Sequence, residues 1–353
     1  MSFRTRRVLL STPFYMIFEF FLLKYMFLLV GGIEDVCLII LSLLIGFNRF
    51  IPMFFESKKS RGLTRFLTTF DGVWMWFSLM FLIEISIIYI IGQFIPLSFE
   101  INACLLTIVP ILGAYNYWKA HKLVVSEKTL ILDNLEMDIN IAHLSDVHFG
   151  SVRHKKLIKE IADKLNTLDC DLAIISGDLA DGSSVVEEDD FQAFSNVKIP
   201  IIFTPGNHDF YPGIGSVIDA CKKAGIIVLD NQSMEFECLN IFGLTFSFED
   251  RGLPEIDESL IEQGKINIIN YHVPYFWEKF SSIGFDIQLS GHTHGGQFYP
   301  VVWFSDLIFK YNKGLFENGL GKYLHVTTGV GSMDTPMRWG TDSEIVVLKL
   351  KKI

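Results

Sequence analysis

Five short polar motifs each follow an apolar, β-like run, and together they hold residue types that bind metal ions. The motifs are Asp146-Val147-His148, Gly177-Asp178-Leu179-Ala180-Asp181, Gly206-Asn207-His208-Asp209, Tyr271-His272 and Gly291-His292-Thr293-His294. Ligands at the carboxyl ends of strands converge on one crevice in open α/β sheets, so we expect the motifs to meet. In an extended segment residues i and i+2 point the same way, so Asp146 and His148, and likewise His292 and His294, would share a site.

The chemistry of these side chains restricts the metal. Carboxylate, imidazole and amide ligands without a thiolate suit borderline to hard divalent ions, and we expect manganese, with iron, zinc or magnesium as alternatives. The candidate ligands are more than one ion needs, whereas two ions about 3.5–4 Å apart, bridged by the carboxylate of Asp178, would use them all. They are Asp146, His148, Asp178, Asn207, His272, His292 and His294.

Short β-rich runs alternate with helical patterns in the last two thirds of the chain, which predicts an α/β domain of layered sheets flanked by helices. The predicted strands cover 139–144, 172–176, 199–204, 226–229, 236–246, 266–270, 287–289, 324–327 and 345–350, and the predicted helices cover 155–168, 216–223 and 274–280. We divide the chain into a transmembrane helical domain over 1–120, a polar linker over 121–138 and the α/β domain over 139–353.

The first third is too apolar for an ordinary soluble domain. Half of the 353 residues are hydrophobic and only 20% are charged. Stretches over 8–30, 36–55, 73–95 and 101–118 approach the roughly 20 apolar residues that a membrane-spanning helix needs, so we expect four spans. The second is broken near 47–49, and the fourth contains Pro110, which leaves a re-entrant or interfacial helix as its alternative.

Charges between these stretches predict an orientation. Connections with basic residues alternate with connections with acidic residues. This pattern predicts an inner or plasma membrane protein with the N-terminus, the connection 58–65 and everything after 119 in the cytoplasm. A weak twin-arginine signal around Arg6 and Arg7 is the competing interpretation and would place the large domain outside. Residues 123–353 carry a net charge of −14, which argues against a nucleic-acid partner. Five scattered cysteines without a CxxC indicate free thiols.

Taken in order, the five motifs resemble the calcineurin-like metallophosphoesterases over about residues 139–350. The run Gly291-His292-Thr293-His294-Gly295-Gly296-Gln297 resembles a branch that includes membrane-attached phosphoesterases and a UDP-2,3-diacylglucosamine pyrophosphatase of lipid A synthesis. The resemblance implies that 139–353 is a catalytic domain with a four-layer αββα sandwich. It also implies hydrolysis of a phosphodiester or pyrophosphate, and we expect the substrate to be lipid-linked. The alternative is a membrane sensor or scaffold whose phosphoesterase domain is inactive.

The same resemblance implies roles for single residues. One ion would be held by Asp146, His148, Asp178 and His294, and the other by Asp178, Asn207, His272 and His292. A hydroxide bridging the two ions would attack phosphorus. His208 would protonate the leaving oxygen or steady the transition state, and Asp209 would orient it. In similar proteins the tail loop borders the site, where Arg338 would clamp a phosphate; a solvated arginine is the alternative.

Two further features have open interpretations. The aromatic and aliphatic segment 298–316, which includes Trp303 and Phe304, is either a core helix or hairpin, or a lip that dips into the bilayer and admits an acylated substrate. His143 and His325 fall within predicted strands, where packing in the protein interior is the more frequent role than metal binding.

Overall fold

The structure, a computed structural model, describes residues 3–56, 58–248 and 256–352. The chain divides into two compact units. One comprises Met1–Lys119 with Asp334–Met337, and the other comprises Ala120–Met333 with Arg338–Ile353.

The first unit is helical. Its helices are α1 (Phe3–Leu28), α2 (Asp35–Asn48), α3 (Phe50–Glu56), α4 (Gly62–Gly92), α5 (Phe99–Leu105) and α6 (Ile108–Ala120). Leu23, Leu38 and Ile45 form a small buried cluster where α1 and α2 pack together. Nearby, the buried carboxylate of Glu19 accepts hydrogen bonds from Trp74 (3.0 Å) and Ser78 (2.6 Å), which satisfies a charge that would be costly in lipid.

Within the described residues, three segments are long and apolar enough to cross a membrane: Val8–Leu28, Gly62–Gly92 and Phe99–Ala120. The predicted second span, 36–55, is divided at Arg49 into the 14-residue α2 and the 7-residue α3. The division agrees with the break expected near 47–49, and the fourth crossing stays a prediction. Pro110 lies in the first turn of α6, where its missing N–H costs no helical hydrogen bond.

The second unit is built on two six-stranded mixed sheets. The first sheet has the order β1 (Leu123–Leu132), β12 (Ser343–Lys352), β2 (Ile139–Leu144), β3 (Leu172–Ser176), β4 (Ile201–Thr204) and β5 (Ile227–Val228). The second has the order β10 (Gly314–Glu317), β11 (Tyr323–Val326), β9 (Ile287–Ser290), β8 (Ile266–Tyr271), β7 (Leu239–Leu244) and β6 (Gln232–Phe236).

Helices α7 (Lys155–Leu165), α8 (Ile214–Lys223), α9 (Trp277–Ile283) and α10 (Val301–Ile308) complete this unit. Both faces of the inner strands are buried, as β3 illustrates. Ala173 and Ile175 pack in one cluster with α7 and α8, whereas Leu172 and Ile174 pack against residues of the second sheet. Because strands buried on both faces read as continuous apolar runs, such strands were predictable, and the expected α/β fold with layered sheets is confirmed.

Three predicted elements differ from the structure. Residues 121–138 are more than a linker, because β1 lies there and pairs in parallel with β12 along its whole length. The predicted strand 236–246 begins only at Leu239, since Glu237 adopts a left-handed backbone and turns the chain between β6 and β7. The segment 298–316 forms α10 and part of a hairpin, in which β10 pairs with β11.

Candidate metal centre

The predicted ligands meet at one end of the two sheets. Each one follows the carboxyl end of a strand: Asp146 and His148 after β2, Asp178 after β3, Asn207 after β4, His272 after β8, and His292 and His294 after β9. Within the described chain, potential metal-ligand atoms come together in three groups, of which the first contains Asp146, His148 and His294 and the last contains Asp178, His272 and His292.

The backbone that aims these side chains is left-handed, not extended. Asp146, His148, Asp178, His292 and His294 have φ values of 51°, 49°, 53°, 73° and 51°. The side chains at positions i and i+2 do converge as predicted. The reason is the left-handed backbone, and the predicted reason, the alternation of side chains along an extended strand, is wrong. Non-glycine residues rarely adopt positive φ, and clusters of them mark sites where the surrounding structure imposes the geometry.

In the first ligand group the atoms stand at the separations expected around one ion. Nε2 of His148 lies 2.9 Å from Nε2 of His294. Oδ1 of Asp146 lies 3.4 Å from His294 Nε2 and 3.7 Å from His148 Nε2. Two ligands each about 2.1 Å from a common metal stand roughly 3–3.5 Å apart, so the group fits one divalent ion.

The second group has the same spacing. Nδ1 of His292 lies 3.1 Å from Oδ1 of Asn207 and 3.3 Å from Nε2 of His272. Nε2 of His272 lies 3.1 Å from Oδ2 of Asp178. The ring of His272 is fixed because its Nδ1 donates to the carbonyl of Ser176 at 2.7 Å, which leaves Nε2 to face the group.

Asp178 lies between the two groups. Its Oδ2 is 3.1 Å from His272 Nε2 on one side and 3.8 Å from His148 Nε2 on the other. Its Oδ1 accepts a hydrogen bond from the backbone N–H of His208 at 2.8 Å. One carboxylate is thus within reach of both groups, which is the geometry that a shared ligand requires.

The charges in the cluster favour cations. Burial opposes ionisation of Asp146 and Asp178, yet the surrounding histidines hold the pKa of both carboxyl groups well below the usual range. Burial likewise disfavours a charged His272, but Asp178 and Asp146 raise its pKa to about 10. Oδ1 of Asp146 accepts no hydrogen bond from any described residue. A buried carboxylate oxygen without a hydrogen-bond donor needs a positive counter-charge, which a divalent ion would supply.

Two glycines let the chain pass close to the ligands. A Cβ on Gly177, whose φ is 84°, would lie 2.6 Å from Nδ1 of His272. A Cβ on Gly206 would lie 2.6 Å from the backbone nitrogen of Asp178. Glycine is required at both positions because any side chain would displace a predicted ligand.

His208 lies at the edge of the cluster and is half-buried. Its Nδ1 bonds the carbonyl of Asp181 at 3.0 Å, and its ring packs edge-on against His148 with centroids 4.8 Å apart. It also joins Asp178 and His148 in the remaining group of potential ligands.

The expectation that Asp209 orients His208 differs from the structure. The buried carboxylate of Asp209 accepts hydrogen bonds from the backbone N–H groups of Asp178, Ala180 and Gly206, each at 2.8 Å. Asp209 therefore holds the loop that carries Asp178. The carbonyl of Asp181 is the group that fixes the ring of His208.

Arg338 is also placed differently from the expectation. It is fully buried, with 0% exposure, so it cannot clamp a substrate in this arrangement. Its guanidinium donates to three carbonyls and a hydroxyl, those of Thr328, Gly329, Gly331 and Thr341. The loop held in this way donates from its own N–H groups to the carbonyls of Ser145 and Asp146. Arg338 consequently supports the backbone of a predicted ligand.

A buried polar chain beneath the centre was not predicted. His325 contacts His143 through their Nδ1 atoms (2.6 Å), and Nε2 of His143 contacts the hydroxyl of Ser176 (2.7 Å). Ser176 donates to Asn270 at 2.5 Å, and this chain links the two sheets. The available signal was Ser176 at the end of an apolar strand and Asn270 among the isoleucines of β8. The expectation that His143 and His325 are packed in the interior agrees with their complete burial.

Comparison with known proteins identifies the family. Residues 139–296 match the model of a family described as calcineurin-like phosphoesterase. The chain belongs to this family. Calcineurin-like phosphoesterases bind two metal ions, which agrees with the two ligand groups described above.

Three relatives of the phosphoesterase domain are informative. An uncharacterized metallophosphoesterase of Campylobacter jejuni is 32% identical over 232 residues, covering 62% of this chain and 61% of the relative. The uncharacterized protein YpbG of Bacillus subtilis is 30% identical over 217 residues, covering 58% and 80%. A transmembrane protein with metallophosphoesterase domain of Danio rerio is 26% identical over 235 residues, covering 61% and 53%. The chain thus spans about three fifths of the Campylobacter relative's length.

Proposed function

We propose that this chain is a membrane-anchored, dinuclear metal-dependent hydrolase of a phosphodiester or pyrophosphate. The observation that carries the proposal is the position of Asp178, whose carboxylate reaches both ligand groups. The proposed ligands are Asp146, His148, Asp178 and His294 for one ion, and Asp178, Asn207, His272 and His292 for the other. The oxygen and nitrogen donors favour manganese, with iron, zinc and magnesium as the other candidates.

Bound divalent ions would neutralise phosphoryl oxygens and lower the pKa of water. The protein groups around the ions would donate a proton and hold the ligands in place. A carbonyl can only accept, so the contact with Asp181 places a proton on Nδ1 of His208. Nε2 of the protonated ring then donates its proton to the leaving oxygen. Asp209 keeps the loop of Asp178 in place through its three backbone hydrogen bonds.

The substrate that we propose is lipid-linked. Apolar helices long enough to cross a membrane precede the phosphoesterase domain, and a transmembrane relative has the same kind of domain. An enzyme tethered to a bilayer meets lipid substrates at high local concentration. UDP-2,3-diacylglucosamine, an intermediate of lipid A biosynthesis, is the first candidate on the resemblance of the motif over 291–297. An inactive sensor is not proposed, because loss of activity is expected to leave a damaged ligand set.

The test uses purified full-length protein in detergent with Mn²⁺ and UDP-2,3-diacylglucosamine, with Asp178→Ala as the control. We expect metal-dependent release of UMP by the unmodified protein and none by the variant. Cleavage of an aryl phosphodiester without release of UMP would retain the hydrolase and discard this substrate. Cleavage of neither compound would overturn the proposal and favour a non-catalytic sensor.

A further inference from the structure

Helix α10 carries an apolar face that nothing in the described chain covers. Trp303 is 66% exposed and Leu307 is 83% exposed, and Phe304 and Ile308 are comparably open. These residues lie at positions i, i+1, i+4 and i+5, which form one stripe along a helix. The opposite side of α10 is anchored, because Val302 and Ser305 are buried.

Both ends of α10 are tied to the metal centre. The helix begins seven residues after His294, within the same connection. After its last turn, the ring of Phe309 lies 6.0 Å from the ring of His292. Asn312 accepts a hydrogen bond from Ser305 of the helix (2.8 Å), and its carbonyl accepts one from Thr293, between the two histidine ligands (2.5 Å). The exposed face therefore has a fixed position beside the centre.

The charges around α10 suit a lipid surface. Lys310 and Lys313 follow the helix; Lys310 is exposed and pairs with Glu278, and Lys313 is half-buried. The helix has a single acidic residue, Asp306, whose carboxylate accepts a hydrogen bond from Asn312 at 2.6 Å and so faces its own loop. A short helix with aromatic and aliphatic residues on one side and basic residues beside it is typical of an interfacial membrane helix.

The size of the face argues against a second protein as its occupant. Four such side chains expose on the order of 500 Å². A stable protein interface takes roughly 800 Å² from each partner. A bilayer has no such minimum, and membrane-crossing helices in the same chain keep one close to this domain.

We propose that α10 inserts its face of Trp303, Phe304, Leu307 and Ile308 into the interfacial region of the bilayer. The inserted helix holds the metal centre at the level of lipid phosphates. The insertion follows from the surface of α10 alone, whereas its use in presenting a lipid substrate rests on the proposed function.

Photo-crosslinking tests the insertion. Full-length protein is placed in vesicles of phosphatidylcholine and phosphatidylglycerol that contain a phosphatidylcholine with a diazirine on its acyl chain. After illumination, mass spectrometry maps the lipid adducts. We expect adducts within residues 301–308 as well as on α4, and their loss from 301–308 alone in the Phe304→Asp, Leu307→Asp double variant. Met137→Asp, a change at a half-exposed methionine between β1 and β2, is the matched control and should leave the adducts in place.

Adducts on α4 but none within 301–308 of the unmodified protein would overturn the insertion. An activity measurement separates this from the proposed function. We expect the double variant to cleave a soluble aryl phosphodiester normally and a lipid-linked substrate about tenfold more slowly. Equal loss on both substrates would show a damaged centre and contradict the role in presenting lipid. If the unmodified protein cleaves neither substrate, the proposed function fails, while the adducts still decide the insertion.

Discussion

At the scale of single residues, Asp178 connects several parts of the candidate metal centre. Its two carboxylate oxygens reach both ligand groups and the backbone of His208, and its own N–H is held by Asp209. Its φ of 53° is costly for a residue with a side chain. That cost is offset by the hydrogen bonds around it, so the position of Asp178 depends on the folded domain and not on local preference.

Asp178→Asn removes a charge that both ion positions share. Substitution of residues that hydrogen-bond to metal ligands typically lowers metal affinity or activity about 10–100-fold. We expect substitution of a ligand shared by both ions to lower kcat/KM more than ~100-fold. Bound metal, measured by mass spectrometry, should fall for both ions. Asp163→Asn, at an exposed aspartate paired with Lys159, is the control and should change neither quantity. Full metal content in Asp178→Asn would refute the shared ligand.

His208→Asn tests proton donation. We expect kcat to fall by about 10²–10⁴-fold with an alkyl ester, because an alkoxide leaves poorly without a proton. The loss should be much smaller with a nitrophenyl ester, whose leaving group is stable as an anion. Metal content should stay near that of the unmodified protein. Loss of the ions would show that His208 acts as a ligand, and equal loss of rate on the two esters would show that it does not act as an acid.

At the scale of elements, the two sheets meet through polar contacts as well as apolar ones. His325 in β11 and His143 in β2 join the sheets beneath the metal centre. Burial lowers the pKa of His325 to about 3, and burial also lowers the pKa of His143. Both rings are therefore neutral in the folded protein at neutral pH.

We expect this pair to make the domain sensitive to acid. The unfolded histidine binds a proton near pH 6.5, whereas folded His325 does so only near pH 3. Between these values the unfolded state binds more protons. The free energy of unfolding therefore decreases as the pH is lowered, by up to about 1.4 kcal/mol per pH unit. We expect His325→Gln to reduce the drop in thermal midpoint between pH 7 and pH 5. His121→Gln, at an exposed histidine, is the control. If His325→Gln shows the same drop in thermal midpoint as the unmodified protein, protonation of His325 is not the cause of the acid sensitivity.

The sequence allowed some elements to be predicted better than others. Strand β3 is apolar up to Ser176 and β8 is rich in isoleucine, and their predicted bounds agree with the structure to within one residue. Strand β1 was missed because Glu127 and Lys128 interrupt its apolar pattern at the edge of a sheet. The types and order of the ligands predicted the site. The left-handed backbone and the burial of Arg338 depend on contacts between distant segments, which no local pattern reveals.

For the whole molecule, the number of membrane crossings decides which side carries the phosphoesterase domain. Arg49, between α2 and α3, keeps helical dihedrals of −64° and −28°. The 22 residues of Asp35–Glu56 can therefore rise about 33 Å, enough to span the hydrocarbon core. We propose that this pair forms the remaining crossing, which gives an even number and two cytoplasmic ends.

Reporters fused before Met1 and after Ile353 test this topology. We expect both to give cytoplasmic signals, as the basic connections also indicate. Reporters on opposite sides would show that the α2–α3 pair does not cross. An external signal at both ends would support export of the phosphoesterase domain instead.

We propose that two metal ions, sharing Asp178, make this chain a phosphoester hydrolase. The most direct test of this claim is to titrate metal-free full-length protein in detergent with Mn²⁺ while following bound metal and cleavage of an aryl phosphodiester. We expect cleavage to rise from background and level off as occupancy approaches two ions per chain, with Asp178→Asn remaining at background. Cleavage that persists in chelator, or that saturates with one ion and is unaffected by Asp178→Asn, would contradict the claim.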